Sequence, residues 1–348
     1  MRIIKEKEIQ MNYSMISLLQ FIFSILVIML HVQRIFQDNT LHYIQKSIFS
    51  RMAVPFFIVS SSFFIHQRMS SLNYTLRDYL KKMIKVYLVL SILYLPYAYL
   101  YISPFNFSLL AFPLVLFVGL VYTGFCYHLW YFPALITGHI IVAQLKKRVN
   151  DFIVGSVLFL VYIVGTLETY ASYFRRFEWF EGYQSYRKVF FTTRNGIFFV
   201  PIFIYMGYIL YKYRHHSMFS KNYTVKLLVA SCLFLLEAIF IYFNQGDDKN
   251  FFVALVPFST FLMNWATRTP LLRSVNMSYF KEKSSFYFFF HPIFVELGFF
   301  LTQSWSLSAD QKGLLIFILT VVALMSLLSV LKYLNIPWEK YVYLKNMR

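Results

Sequence analysis

Apolar runs of about 17–20 residues recur along the chain, and short segments that carry most of its Lys and Arg separate them. At 1.5 Å per residue, such a run as a helix matches the ~30 Å hydrocarbon core of a bilayer. Of the 348 residues, 59% are hydrophobic and 14% are charged, a balance that excludes an ordinary soluble domain. We therefore predict an all-α polytopic membrane protein, a single integral-membrane domain over 1–348 with its core at 10–331.

The distribution of positive charge sets the number and direction of the predicted spans. With ten spans and a cytoplasmic N-terminus, 22 of the 33 Lys and Arg fall on the cytoplasmic side and 10 on the outer side. If the apolar piece 106–123 also crosses, the split becomes 15 against 17. We therefore expect about ten transmembrane helices, both termini in the cytoplasm, and a re-entrant or interfacial segment near 106–123. The expected spans are 14–33, 48–65, 83–102, 128–145, 152–168, 195–211, 224–243, 251–265, 284–303 and 313–331.

The net charge of +18 is also explained by membrane topology, because the basic residues lie between the apolar runs. The expected partner is therefore the lipid bilayer, and no nucleic acid is expected. Two cysteines, Cys126 and Cys232, and scattered histidines do not make a metal-ligand cluster. No metal is expected.

Polar residues collect at the outer ends of the predicted spans. His31 lies near the end of the first span, and Arg51 opens the second. His128 opens the fourth within "CYHLWYF", beside Trp130 of a predicted interfacial belt. Ionisable groups in a bilayer usually face a cavity and mark a functional site. The other members of this set are Arg194 and Asn195, which open the sixth span, and His291 in the ninth.

Each of these residues also has a purely structural explanation. A lone histidine can bridge two helices, Arg51 can extend to the headgroups, and Arg194-Asn195 can simply begin a helix. Taken together, the residues indicate catalysis, because imidazole is the usual general base for a hydroxyl and arginine can stabilise an oxyanion. The chain has no G-x-S-x-G elbow, phosphate-binding loop or zinc signature. The pattern favours acyl transfer to an alcohol and leaves a transporter open.

Five segments spread over residues 10–330 carry a family resemblance, and they occur in the family's order. They are "LVIMLHVQ", "RMAVPFFIVSSSFF", "YHLWYFPALI", "RNGIFFVPIFIYMGY" and "SSFYFFFHPIF". On these segments the chain resembles the membrane acyltransferase 3 family, the integral-membrane acyltransferases of bacterial surface glycans. The family fold has ten main helices with both termini inside, in agreement with the charge distribution.

The resemblance implies an enzyme of a bacterial cell membrane. It would transfer an acyl group, usually acetyl, from cytoplasmic acyl-CoA to a hydroxyl of an extracytoplasmic or lipid-linked glycan, in surface polysaccharide O-acetylation. His31 matches the family's proposed general base, and Arg51 and His128 match further polar positions of its donor–acceptor site. These three are the expected catalytic residues. The expected substrate-binding residues are Trp130, Arg194, Asn195 and His291.

The chain departs from the family pattern at two places. Gln20 stands where many members have an arginine linked to the acyl donor. The family's Ser-Gly-Tyr reads Ser61-Ser62-Phe63, so a glycine that allows close packing is missing. A non-catalytic carrier of a polysaccharide intermediate or small metabolite is the alternative function, and a membrane partner of a glycan synthase is a third.

Overall fold

The computed structural model describes residues 11–105, 108 and 110–341. These residues form helices joined by turns and contain no β-strand, which confirms the all-α prediction. Residue 10, where the domain core was expected to begin, lies outside the described residues. So do both chain ends, whose cytoplasmic placement stays a prediction.

Seventeen α-helices occur in the described part of the chain, with four short irregular helices between them. The irregular helices are two π-helices, Ile44–Phe49 and Gly119–Thr123, and two 3₁₀ turns, Ser50–Met52 and Ser103–Phe105. The α-helices are α1 (Tyr13–His31), α2 (Asn39–Tyr43), α3 (Ala53–Ser71), α4 (Leu76–Leu93), α5 (Leu95–Ile102), α6 (Phe112–Val118), α7 (Tyr131–Arg148), α8 (Asp151–Thr166), α9 (Ala171–Phe174), α10 (Trp179–Phe190), α11 (Val200–Lys212), α12 (Ser217–Ser220), α13 (Tyr223–Phe243), α14 (Leu255–Arg268), α15 (Ser278–Thr302), α16 (Ala309–Tyr333) and α17 (Trp338–Tyr341).

A helix occupies each of the ten segments expected to cross the membrane. Five are long and apolar enough to cross by length and composition: α1, the continuous helix 39–71, α13, α15 and α16. The pair α4 and α5, bent by 57° at Tyr94, makes a sixth if it is one span. The protein is therefore a polytopic membrane protein, and the figure of ten crossings stays a prediction.

The segment 106–123 is only partly described, because residues 106, 107 and 109 lie outside the described residues. The remainder contains a short apolar helix, Phe112–Thr123. A straight helix of that length covers less than the hydrocarbon core. Its re-entrant or interfacial placement stays a prediction.

Helix α1 packs against α3, α14, α15 and α16, so it runs through the middle of the bundle. Its first turn is held by Asn12, whose Oδ1 accepts a hydrogen bond from the Met15 amide at 2.9 Å. The Asn12 amide group donates to the Thr269 carbonyl at 2.8 Å, which ties α1 to the end of α14. These contacts fix the N-terminal end of α1, and His31 is the last helical residue at its other end.

Helices α3 and α11 make a close contact at Ser62 and Gly207. The Ser62 hydroxyl is buried and donates to the Ile204 carbonyl at 2.6 Å. A Cβ on Gly207 would lie 2.5 Å from the Val59 carbonyl oxygen and 2.7 Å from the Ser62 Cβ. Gly207 of α11 therefore allows the close helix packing that the glycine missing from Ser61-Ser62-Phe63 would have allowed.

Gly207→Ala is expected to lower the free energy of unfolding by about 1–3 kcal/mol, because the added methyl group meets backbone that cannot move alone. The measurement is thermal unfolding of the purified protein in detergent. Gly182→Ala in α10 is the matched control, since a Cβ there has nothing within 4 Å. Equal unfolding midpoints for both variants would show that the α3–α11 contact is looser than described.

Candidate active site

A small cavity lies where α1 ends and where α3 and α7 begin. Its volume is about 40 Å³, which is room for a water or a similarly small group and not for a sugar. Five of the predicted site residues line it, namely His31, Arg51, His128, Trp130 and Arg194. The rest of the lining is Val27, Leu30, Ser50, Val54, Tyr131, Phe199, Asn250 and Phe288. The structure thus brings together the five predicted residues from four separate segments of the sequence.

Three histidines from three parts of the chain form one cluster at this cavity. The ring centroids of His31 and His291 lie 5.4 Å apart, and those of His128 and His291 lie 5.5 Å apart. The Tyr127 ring lies 4.3 Å from that of His31 and 6.3 Å from that of His291. Both ring nitrogens of His128 are buried and have no hydrogen-bond partner among the described residues. Buried groups of this kind are normally paired, so they are available to a bound ligand.

His291 lies behind the other two histidines and does not line the cavity. Its Nδ1 lies 3.0 Å from the carbonyl oxygens of both Tyr287 and Phe288, so Nδ1 must carry the proton. Pro292 explains why this is possible, because a proline has no amide to donate to the Phe288 carbonyl four residues earlier. The lone pair of Nε2 is therefore free, and that atom is buried without a partner among the described residues. This geometry suits a residue that positions the rings of His31 and His128. Direct contact of His291 with substrate stays a prediction.

Arg51 reaches the cavity from an irregular helix. It belongs to the 3₁₀ turn Ser50–Met52, which joins a π-helix to α3, and such insertions turn side chains toward functional sites. Its side chain is 14% exposed, and its Nη2 lies 3.5 Å from Oδ1 of Asp248. Its Nε is buried without a partner in the described part of the chain. A buried guanidinium with a free N–H can bind an anion or an oxyanion.

Arg194 supplies a second guanidinium to the same cavity. Its Cζ lies 4.8 Å from the centroid of the Trp130 ring, a cation–π contact that holds both side chains. Its Nη1 donates to Oδ1 of Asn250 at 3.3 Å, and its buried Nε has no partner among the described residues. "CYHLWYF" thus contributes a histidine to the cavity and a tryptophan that orients an arginine.

Asn195 is placed differently from its neighbour Arg194, because it does not line the cavity. Its Oδ1 accepts from the amides of Ile197 and Phe198 at 2.9 and 3.1 Å. Its Nδ2 donates to the hydroxyl of Tyr122 at 3.1 Å. These bonds build the turn that leads into α11. Asn195 therefore has the structural role, that of beginning a helix, which the sequence analysis gave as an alternative. Contact of Asn195 with substrate stays a prediction.

The turn between α13 and α14 holds site residues that the sequence did not single out. Asp248 pairs with Arg51, and the buried Asn250 bonds to Arg194 and donates to the Asp248 carboxylate. The one available signal was the polar run "QGDDKN" between two apolar spans, which by itself resembles any solvated turn.

The donor set around the cavity is cationic and neutral. Within residues 11–105, 108 and 110–341, no group of three or more His, Cys, Asp or Glu is arranged to hold a metal ion. Two guanidiniums and two imidazoles are among the lining residues, which include no carboxylate, and Asp248 beside them is paired with Arg51. Such a set is suited to developing negative charge.

Comparison with known proteins gives a family for nearly the whole chain. A family model described as an acyltransferase domain matches residues 14–333. No solved structure matches.

The curated relatives carry a different name. A serine/alanine racemase of Enterococcus gallinarum is 30% identical over 231 residues, which are 62% of this chain and 32% of that protein. An amino-acid racemase of Enterococcus faecalis is 29% identical over 252 residues, 71% of this chain and 34% of that protein. The chain spans about a third of the length of these relatives. On the family match, the chain belongs to the membrane acyltransferase 3 family.

Proposed function

We propose that the protein transfers an acyl group, acetyl in the first instance, from acyl-CoA to a hydroxyl of an extracytoplasmic or lipid-linked cell-surface glycan in a bacterial cell membrane. The observation that carries the proposal is the cavity at which a histidine cluster and two arginines meet inside an apolar bundle. Family membership supports acyl transfer in general. The glycan acceptor and the CoA donor are what the proposal adds to it.

The reaction follows from the groups that line the cavity. His31 takes the proton from the acceptor hydroxyl, whose oxygen attacks the thioester carbonyl carbon. The free N–H groups of Arg51 and Arg194 stabilise the negative charge that develops on the carbonyl oxygen. The carbon–sulfur bond then breaks, an ester forms, and the proton passes from His31 to the CoA thiolate. A volume of about 40 Å³ suits the reacting groups alone, so the bodies of donor and acceptor lie outside it.

The proposed function is tested with purified protein in vesicles that contain envelope glycans of the producing cell. Labelled acetyl-CoA is added, and both the released CoA thiol and the label on the glycan are measured. We expect equal amounts of both, and neither in vesicles without the protein. The absence of CoA release with acetyl-CoA and with other short acyl-CoA donors would contradict acyl transfer.

A membrane carrier is the second candidate, and the names of the relatives favour it. Proteins called serine/alanine racemase and amino-acid racemase contain a region similar to this chain over about a third of their length. A carrier for a small metabolite of the amino-acid class would use the same histidines and arginines without chemistry. It would move labelled serine or alanine across the vesicle membrane with no consumption of acetyl-CoA, which separates the two candidates in one preparation.

A further inference from the structure

A second and much larger cavity adjoins the first. Its volume is about 630 Å³, compared with about 40 Å³ for the inner cavity. Arg51 lines both, so its side chain lies in the wall between them. The larger cavity, called here the vestibule, is lined among others by Asn39, His42, Lys46, Arg51, Asp248 and Lys249.

The wall between the two cavities is a chain of polar contacts. Arg51 pairs with Asp248, Asp248 accepts a hydrogen bond from Asn250, and Asn250 accepts one from Arg194. Three of the four line the inner cavity, and Asp248 lines the vestibule. The Asp248 side chain is 28% exposed and that of Arg51 is 14% exposed, so the pair is only partly buried. Its separation of 3.5 Å is longer than a charge-assisted hydrogen bond, so another anion can compete for Arg51.

The vestibule offers cations that no protein carboxylate occupies. Lys46 and Lys249 both line it, and neither forms an ion pair within the described residues. Of its two carboxylates, Asp247 already pairs with Arg175 and Arg187 outside the vestibule lining. The remaining one, Asp248, pairs with Arg51 and accepts hydrogen bonds from Asn250 and from the Lys249 amide. An anion in the vestibule would therefore meet two unpaired ammonium groups.

We propose that the vestibule binds the acceptor through an anionic group, a phosphate or a carboxylate, and that Asp248 closes the passage to the inner cavity until this group replaces it on Arg51. This inference rests on the proposed function, because it names the chemical class of the acceptor. The exchange leaves Arg51 paired throughout, so no uncompensated buried charge is created. The bound anion gains the ammonium groups of Lys46 and Lys249, with which Asp248 forms no ion pair among the described residues.

The size of the two cavities supports this order of events. An acceptor sugar cannot enter about 40 Å³, whereas about 630 Å³ accommodates one or more rings. When Asp248 leaves Arg51, the acceptor hydroxyl can pass between them toward His31. The passage then opens only for an acceptor that carries the matching charge, which is a source of specificity.

The experiment uses a cysteine placed in the inner cavity of the full chain in detergent. Val54 lines that cavity and not the vestibule, so Val54→Cys reports the passage in a background with Cys126→Ala and Cys232→Ala. The probes are two methanethiosulfonates of similar size, one with a sulfonate and one with a trimethylammonium group. We expect Asp248→Ala to raise the modification rate by both probes by about tenfold. Asp310→Ala, at the start of α16, is the control and should leave the rates unchanged.

The charge preference is measured in the opened protein. With Asp248→Ala, the sulfonate probe should react faster than the trimethylammonium probe by about tenfold, and Lys46→Gln with Lys249→Gln should reduce the difference to the part that Arg51 contributes. Inorganic phosphate and glucuronate are added as competitors, and the one that slows the sulfonate probe identifies the anionic group. Competition by neither, no rate increase with Asp248→Ala, or equal reaction of both probes would overturn the proposal. None of these measurements needs acyl transfer, so their failure is distinguishable from failure of the proposed function.

Discussion

Replacing His31 with alanine is expected to slow acyl transfer by about 10²–10⁴-fold, the usual contribution of a general base. His31 is the last residue of α1 and lines the cavity, so its ring can be removed without breaking the helix. The rings of Tyr127 and His291 pack against it, at centroid distances of 4.3 and 5.4 Å. The loss should appear in kcat, because the proton is taken in the transition state and not on binding.

The matched control for this variant is His139→Gln. His139 is also a buried histidine of the bundle, on α7, but it does not line the cavity and its ring packs against Tyr79. Transfer should persist in the His139 variant, and both variants should elute from size exclusion as the parent protein does. Full activity of a well-folded His31→Ala protein would remove His31 as the base and direct attention to His128, which has two unpaired ring nitrogens.

Much of the cavity could be predicted because its residues interrupt otherwise apolar helices. His31, Arg51 and His128 each stand at the end of a predicted span, and the cost of burying such groups in a bilayer is itself a signal. The charge distribution placed these ends at one level, and the structure shows three of them around one cavity. An apolar run long enough to cross a bilayer must satisfy its backbone groups within itself, which is why a helix occurs at each of the ten expected segments.

The wall of the cavity could not be predicted, because its contacts join turns that are distant in sequence. Asp248 lies in a polar turn that is typical of any loop, and its role appears only when the fold places it 3.5 Å from Arg51. Asn195 shows the converse. It stands next to a cavity residue in sequence, yet the turn before α11 directs its side chain to Tyr122 and to backbone amides.

Glu168→Gln is expected to lower the free energy of unfolding by about 2–3 kcal/mol, the range for hydrogen bonds to a buried charged group. The Glu168 carboxylate is fully buried. It accepts hydrogen bonds from the Thr193 amide at 2.9 Å, from Arg187 Nε at 3.1 Å and from the Thr192 hydroxyl at 3.1 Å. A glutamine can keep its Oε1 on the Thr193 amide and on Arg187 and turn its amide group to the Thr192 hydroxyl, but the acceptor is then neutral, and Arg187 keeps only Asp247 as an ion-pair partner.

The same substitution is expected to reduce acyl transfer, because Glu168 joins the two segments that carry Arg194 and Asp248. Its side chain holds the 192–193 backbone, and its carbonyl oxygen accepts from the amides of Asp247 and Asp248 at 3.0 and 3.3 Å. Hydrogen exchange of peptides that cover 187–199 should therefore quicken, alongside the fall in thermal unfolding midpoint. Glu181→Gln, an exposed glutamate on α10, is the control and should change stability by less than about 0.5 kcal/mol. If both variants exchange and unfold alike, the segment that carries Arg194 is held by its apolar contacts, and the buried carboxylate is not what positions the arginine.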